Sequence, residues 1–284
     1  MSDPIGFAVV DKATEWTSHD VVAKARGVLG TRKVGHSGTL DPGATGVLVL
    51  GVGRATKLLR FVTGMPKTYV AEVLLGVETD SLDADGDVTI RHDMSHVTIE
   101  DIRGVLDGFR GPIEQIPPMV SAIKVDGKRL HQLAREGKEV ERKPRAVTIH
   151  RLDVPGELVD GVFTMEVECS AGTYIRTLGA DIGTVLGGGA SLVSLRRTAV
   201  GSFVESMAKP VDELDIIDIA SGLAALDQVI VDDEQATLVG YGRPIRDEQA
   251  AGKGPWLVMH NGAPIAVHER IDDRIKVAWV AVSD

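Results

Sequence analysis

Asp41 stands out among the residues that could do chemistry, because it is a lone carboxylate inside His36-Ser37-Gly38-Thr39-Leu40-Asp41-Pro42-Gly43-Ala44-Thr45-Gly46, a run too rich in small residues to be core. The ring of Pro42 disfavours helical backbone at Asp41, and the glycines let the chain turn tightly around it, so the side chain is presented rather than buried. A presented carboxylate can attack an electrophilic carbon or stabilise positive charge. Turn chemistry alone leaves another use open, since Asp in turns also bonds its own backbone. Glycoside hydrolysis generally takes two carboxyl groups flanking the bond, and no second one lies close to Asp41 in the sequence.

Rival motifs in the chain are weak. Ala44 stands where a phosphate-binding loop needs Lys, and Gly51-Val52-Gly53 lacks a third glycine. Asp80 to Asp87 is arranged like a calcium loop around Gly86, yet Ser81 takes the first ligand position and His92 the last, so it reads as an ordinary loop. The single cysteine, Cys169, excludes an internal disulfide and a cysteine-rich metal site. It falls in the alternating run Phe163 to Cys169 and reads as a strand residue.

Several segments then fall in a familiar order. His36 to Lys57, ending Gly51-Val52-Gly53-Arg54-Ala55-Thr56-Lys57, resembles the signature of the TruB family of tRNA pseudouridine synthases. Lys67-Thr68-Tyr69, Gly76 to Gly86, Phe109-Arg110-Gly111, Gln115-Ile116-Pro117-Pro118, Ser121 to Lys124, Cys169 to Arg176 and Leu195-Arg196-Arg197 follow, so the resemblance spans about residues 5 to 210. It implies that Asp41 is the nucleophile, that Arg176 pairs with it, and that Tyr69 stacks on the target base and serves removal of the C5 proton. It also implies that Tyr174 and Leu195 wall the uridine pocket and that His36 enters the RNA loop. Lys12, Lys57, Lys124, Arg196 and Arg197 are the candidate RNA-backbone contacts. Ala13 and Glu15 depart from the Pro and Gly usual after Asp11-Lys12, Val120 from a common aromatic, and His131 from a frequent tyrosine.

The elements that must position these residues can be read coarsely. Gly6 to Lys12 reads as a buried strand, and Ser18 as the cap of a helix carrying Val21, Val22, Ala25, Val28 and Leu29. Thr68 to Val77 alternates as a strand, Val47 to Leu50 is strand or helix, and Thr98 with Asp101 forms a capping-box variant for a helix through Phe109. Residues 128 to 136 and 174 to 186 also read as helices. The pattern predicts an α+β fold with a mixed, largely antiparallel sheet and flanking helices, which the resemblance makes the pseudouridine synthase fold. From about residue 228 the chain turns β-rich, with Asn261-Gly262 as a hairpin signal between Trp256–His260 and Ile265–Glu269. The expected organisation is a catalytic domain over 1–227 and a small β domain over 228–284, PUA-like by resemblance, with accessory RNA binding.

The formal charge of −10 argues against a nucleic-acid binder on average. Its distribution does not, because basic residues cluster from Lys124 to Arg145 and at Arg196-Arg197, while acids gather around 212–218 and 232–234. No signal peptide or apolar run of membrane-spanning length is present in the 284 residues. The expectation is a cytoplasmic monomer that isomerises uridine-55 in the tRNA T-stem-loop with no cofactor and no metal. The alternative is a non-catalytic RNA-binding or RNA-chaperone protein using the same slot.

Overall fold

The computed structural model describes residues 4–121 and 140–281, together with the backbone of 124–125 and 128–129. Its centre is a nine-stranded sheet ordered β1-β3-β12-β4-β11-β10-β7, with β2 beside β3 and β13 beside β12. These strands are β1 Gly6–Lys12, β2 Val34–His36, β3 Thr45–Val52, β4 Lys67–Leu75, β7 Gly111–Gln115, β10 Arg145–Asp153, β11 Val162–Cys169, β12 Ala190–Val200 and β13 Phe203–Val204. Every pairing in it is antiparallel except β12 with β3, which run parallel. The predicted α+β architecture is therefore observed. The undecided run Val47 to Leu50 is strand, because both faces of β3 are buried: Val47 and Val49 enter one core, Leu48 and Leu50 another.

Helix α1, Ser18–Val28, buries Val21, Val22 and Ala25 against β1 and β3. Its cap is Thr17 rather than Ser18, in a full capping box with Asp20. Ser18 does something else: its buried hydroxyl accepts from Leu40 N at 2.9 Å and contacts Leu40 O at 3.2 Å, tying the helix start to the loop that carries Asp41. The Thr98–Asp101 capping box starts a helix over Ile99–Val105, as expected. Residues 128–129 are strand, paired with 124–125, and not the start of the helix expected over 128–136; the rest of that segment lies outside the described residues. A helix over Ile175–Val185 follows Tyr174, and Cys169 ends β11 fully buried.

The C-terminal sheet is ordered β14-β15-β16-β17 (Asp227–Ile230, Trp256–His260, Ala263–Ile271, Arg274–Val280), with the expected hairpin turn at Asn261-Gly262. It packs on the central sheet, because Leu257, Met259, Val267 and Trp279 share one apolar core with Phe7, Val9, Val47 and Val49. Arg54 adds a hydrogen bond to Val280 O at 2.9 Å, and Arg60 forms an ion pair with Glu269.

Candidate active site

The loop between β2 and β3 projects Asp41 over the edge of the central sheet, and several buried groups hold it there. Lys12, at the end of β1, is 1% exposed, and its ammonium donates to Pro42 O at 3.0 Å, Ala13 O at 2.9 Å and Trp16 O at 2.6 Å. Burial pulls its pKa down to about 8 while Asp41 pushes the other way. Lys12 thus buttresses the Asp41 loop from beneath and does not present its charge at the surface, which removes it from the candidate phosphate contacts. Glu15 N donates to Pro42 O at 3.0 Å from the other side. Gly46, with φ +98°, lets β3 lie against β12, since a Cβ there would stand 2.3 Å from Arg197 O.

Arg176 opens the Ile175–Val185 helix and is 5% exposed. Its Nη2 lies 3.0 Å from Asp41 Oδ2, and its Nη1 lies 3.3 Å from Asp83 Oδ2. The same two nitrogens donate to Val120 O and Ser81 O, each at 2.8 Å. A guanidinium with four acceptors in a nearly dry position is fixed in place, and it orients the Asp41 carboxylate. Asp83 is the second carboxylate that sequence proximity did not reveal. It is placed by its own loop, where Ser81 Oγ and Asp85 N bond its other oxygen. Its only sequence signal was membership in the Gly76 to Gly86 segment.

A hollow of about 270 Å³ opens beside the pair, walled by Tyr69, Tyr174 and Leu195, with Lys67 and Arg197 also in its lining. Tyr69 and Arg197 are directly opposite each other on β4 and β12, and both line the hollow. Burial raises the Tyr69 pKa, and Arg197 opposes that rise. Arg197 itself is 2% exposed, bonded to Val47 O at 2.7 Å and Gly38 O at 3.2 Å. Strand alternation separates the two neighbouring arginines. Arg196 points away from the hollow and is held by Asp11 at 3.1 Å and by Glu205 at 2.5 Å.

Lys67, 7% exposed, was missed as a pocket residue, although it stands two positions before Tyr69. Its ammonium donates to Thr63 O at 2.5 Å and Met65 O at 2.7 Å, and burial, aided by Arg197, brings its pKa down to about 8. Burial also raises the pKa of the Tyr174 phenol; the Tyr174 backbone is clamped by Gln115 at 2.9 and 3.1 Å. Ser37 Oγ in the same lining is buried without a partner among the described residues.

His36, on β2, accepts from Gly38 N through Nδ1 at 3.3 Å and stands edge-on to His19, with ring centroids 5.4 Å apart. Burial, with help from His19 and Arg197, lowers its pKa, so it is neutral at pH 7. Lys57 is exposed on the 3-10 turn Gly53–Leu58 and lines neither hollow at Asp41. The Lys124 side chain lies outside the described residues. A second, larger hollow of about 620 Å³ meets the first at Asp41 and Arg176 and is faced by Asp80, Asp83, Asp85 and Asp87. No cluster of residues suited to a metal ion occurs among the described residues, and no helix among them is long and apolar enough to cross a membrane.

A carboxylate fixed by a buried guanidinium at the mouth of an aromatic slot suits an enzyme that acts on a nucleoside. The fold points the same way: the structure superposes on that of a Cbf5-Nop10-Gar1 complex with TM-score 0.74 and 26% identity, over 99% of this chain and 84% of that one. An archaeal box H/ACA Nop10-Cbf5 complex shares the fold at TM-score 0.70 and 22% identity, over 99% of this chain and 86% of that one.

Residues 26–175 match the model for the TruB family pseudouridylate synthase N-terminal domain, and 176–236 the tRNA pseudouridylate synthase B C-terminal domain. The tRNA pseudouridine synthase B of Rhodococcus jostii is 48% identical over 84% of this chain and 81% of its own length. That of Mycobacteroides abscessus is 44% identical over 94% and 87%. The chain belongs to the TruB family of pseudouridylate synthases.

Proposed function

We propose that this chain isomerises uridine to pseudouridine in tRNA, at position 55 of the T-loop. The observation that carries the reading is the Asp41–Arg176 pair, 3.0 Å apart, at the mouth of a slot walled by Tyr69, Tyr174 and Leu195. The relatives' shared name supports tRNA as the RNA acted on.

The reaction breaks the N1–C1′ bond, turns the freed uracil and joins C5 to C1′, while a proton leaves C5 and N1 ends protonated. Nothing is oxidised or consumed, so the chemistry falls to groups of the chain. The target base leaves the RNA stack, at a cost of a few kcal/mol, and the two phenol-bearing walls replace part of that stacking at roughly 1–3 kcal/mol per base. Asp41 acts at the sugar carbon, held in position by Arg176. Tyr69 lies against the base, with Arg197 opposite it on the neighbouring strand, where it serves removal of the C5 proton. Cations at Lys67 and Arg197 suit a slot in which the detached uracil carries negative charge. His36, neutral, contacts the opened RNA loop. The sheet over 228–284 acts as a PUA-like accessory RNA-binding domain to a catalytic domain over 1–227.

Purified protein with a T-stem-loop transcript tritiated at uridine C5 tests the reading. Label should pass to water in step with pseudouridine in the product. Binding without tritium release would mark a non-catalytic RNA binder, and free uracil would mark a hydrolase.

A further inference from the structure

The loop over 13–16 departs from the family pattern, yet it is pinned to the Asp41 loop from both ends. Glu15 adopts φ +68°, a left-handed backbone where a side chain is unfavourable and glycine is at ease. The conformation is held because Glu15 N donates to Pro42 O, while Lys12 gathers Trp16 O and Pro42 O onto one ammonium. One residue later the Thr17–Asp20 capping box fixes the start of α1. Strained backbone that persists under so many restraints is a common mark of a functional site. Its effect here is to set the side chain of Trp16.

Trp16 is 37% exposed, whereas Trp256 and Trp279 are 1% and 6% exposed. A large apolar residue just before an N-cap ordinarily folds onto the residue four positions into the helix. Here that partner, Val21, is buried in the α1 core while just over a third of Trp16 stays open to solvent. Among the described residues the ring stacks on no other aromatic side chain. The residues that follow it, Thr17, Ser18 and His19, line the larger hollow at Asp41. Trp16 thus directly precedes residues that line this mouth, with its backbone held by Lys12.

We propose that Trp16 is a stacking platform for an unpaired base of the RNA loop, next to the uridine that enters the slot. The inference rests on the pseudouridine synthase reading, which brings an opened RNA loop to this mouth. An indole suits that task, because every base has a π-face and a tryptophan side chain is ordered at small entropic cost.

The test uses the full chain carrying Asp41→Asn, so that RNA binds without turnover, and a fluorescently labelled T-stem-loop transcript. RNA should quench tryptophan emission, and Trp16→Phe should abolish that quenching while keeping the affinity, measured by anisotropy of the RNA label. Trp16→Ala should raise Kd by about fivefold or more. In the otherwise unaltered chain, Trp16→Ala should raise KM by a similar factor at nearly constant kcat. A Trp16→Ala variant that binds RNA within about twofold of its parent overturns the proposal, and a lowered melting temperature alone would mark Trp16 as a staple of α1. Absence of tritium release by the unaltered chain would sink the pseudouridine synthase reading instead, whatever Trp16 does.

Discussion

The two hollows that meet at Asp41 and Arg176 are built from opposite chemistry. The smaller has aromatic walls with Lys67 and Arg197 in its lining, and Asp41 is the sole carboxylate among the described residues that line it. The larger is faced by Asp80, Asp83, Asp85 and Asp87 as well as Asp41, with Arg176 the sole Lys or Arg among the described residues that line it. One side presents aromatic surface and cations, while the other presents carboxylates that anchor the guanidinium. Arg176 is the hinge of the contrast, since it takes Asp83 and Ser81 O on Nη1 and gives Nη2 to Asp41 and Val120 O. The reactive carboxylate is therefore oriented by groups that have no need to touch the base.

The sharpest way to break this comparison is to remove the group the hollows share. Asp41→Asn should cut product formation by at least about 10⁴-fold with little change in RNA affinity, read by tritium release and filter binding. On the base side, Tyr69→Leu should lower kcat by about 10²- to 10³-fold, whereas Tyr69→Phe should retain stacking, and so RNA affinity, while losing turnover. On the acidic side, Asp83→Asn should reduce kcat by roughly 10- to 100-fold at unchanged KM, because it loosens Arg176 without altering the slot. An Asp83→Asn variant with full turnover would show that Asp41 needs no support from the larger hollow.

The smallest effect concerns the cation in the slot. Folded, Lys67 gives up its proton near pH 8, against an ordinary value of 10.5. Between those values the unfolded chain binds the extra proton, so stability should rise as pH climbs from 8 toward 10.5. Its carbonyl bonds favour the ammonium and hold the gain to about 1–2 kcal/mol. Denaturant unfolding of the unaltered chain against Lys67→Met across that window isolates the contribution.

Local signals carried much of the fold. The Gly6–Lys12 strand, the Thr98 capping box, the helix after Tyr174 and the Asn261-Gly262 hairpin all follow from propensity, capping and turn chemistry within a few residues. What escaped depends on distance through space. Ser18 looked like a cap, since nothing local says that Leu40 will stand against its hydroxyl. Lys12 looked like a surface charge until the Pro42 loop closed over it. Asp83 lies 42 positions from Asp41 in the numbering, and only the Arg176 side chain, from a third segment, brings them into one network. Arg196 and Arg197 read as a pair although the strand sends them to opposite faces.

The apolar core shared by Phe7 and Val9 with Leu257, Val267 and Trp279 bears on how this chain emerges from the ribosome. The first strand is made early, yet part of the cover over one face, Leu257, Met259, Val267 and Trp279, is translated almost last. Throughout most of synthesis the nascent sheet must carry a sticky, uncovered side, a hazard for association with other chains. A stop codon ahead of Trp256 would leave part of that side uncovered for good, so such a truncated product should be prone to aggregation even though every group proposed for the chemistry had already been made.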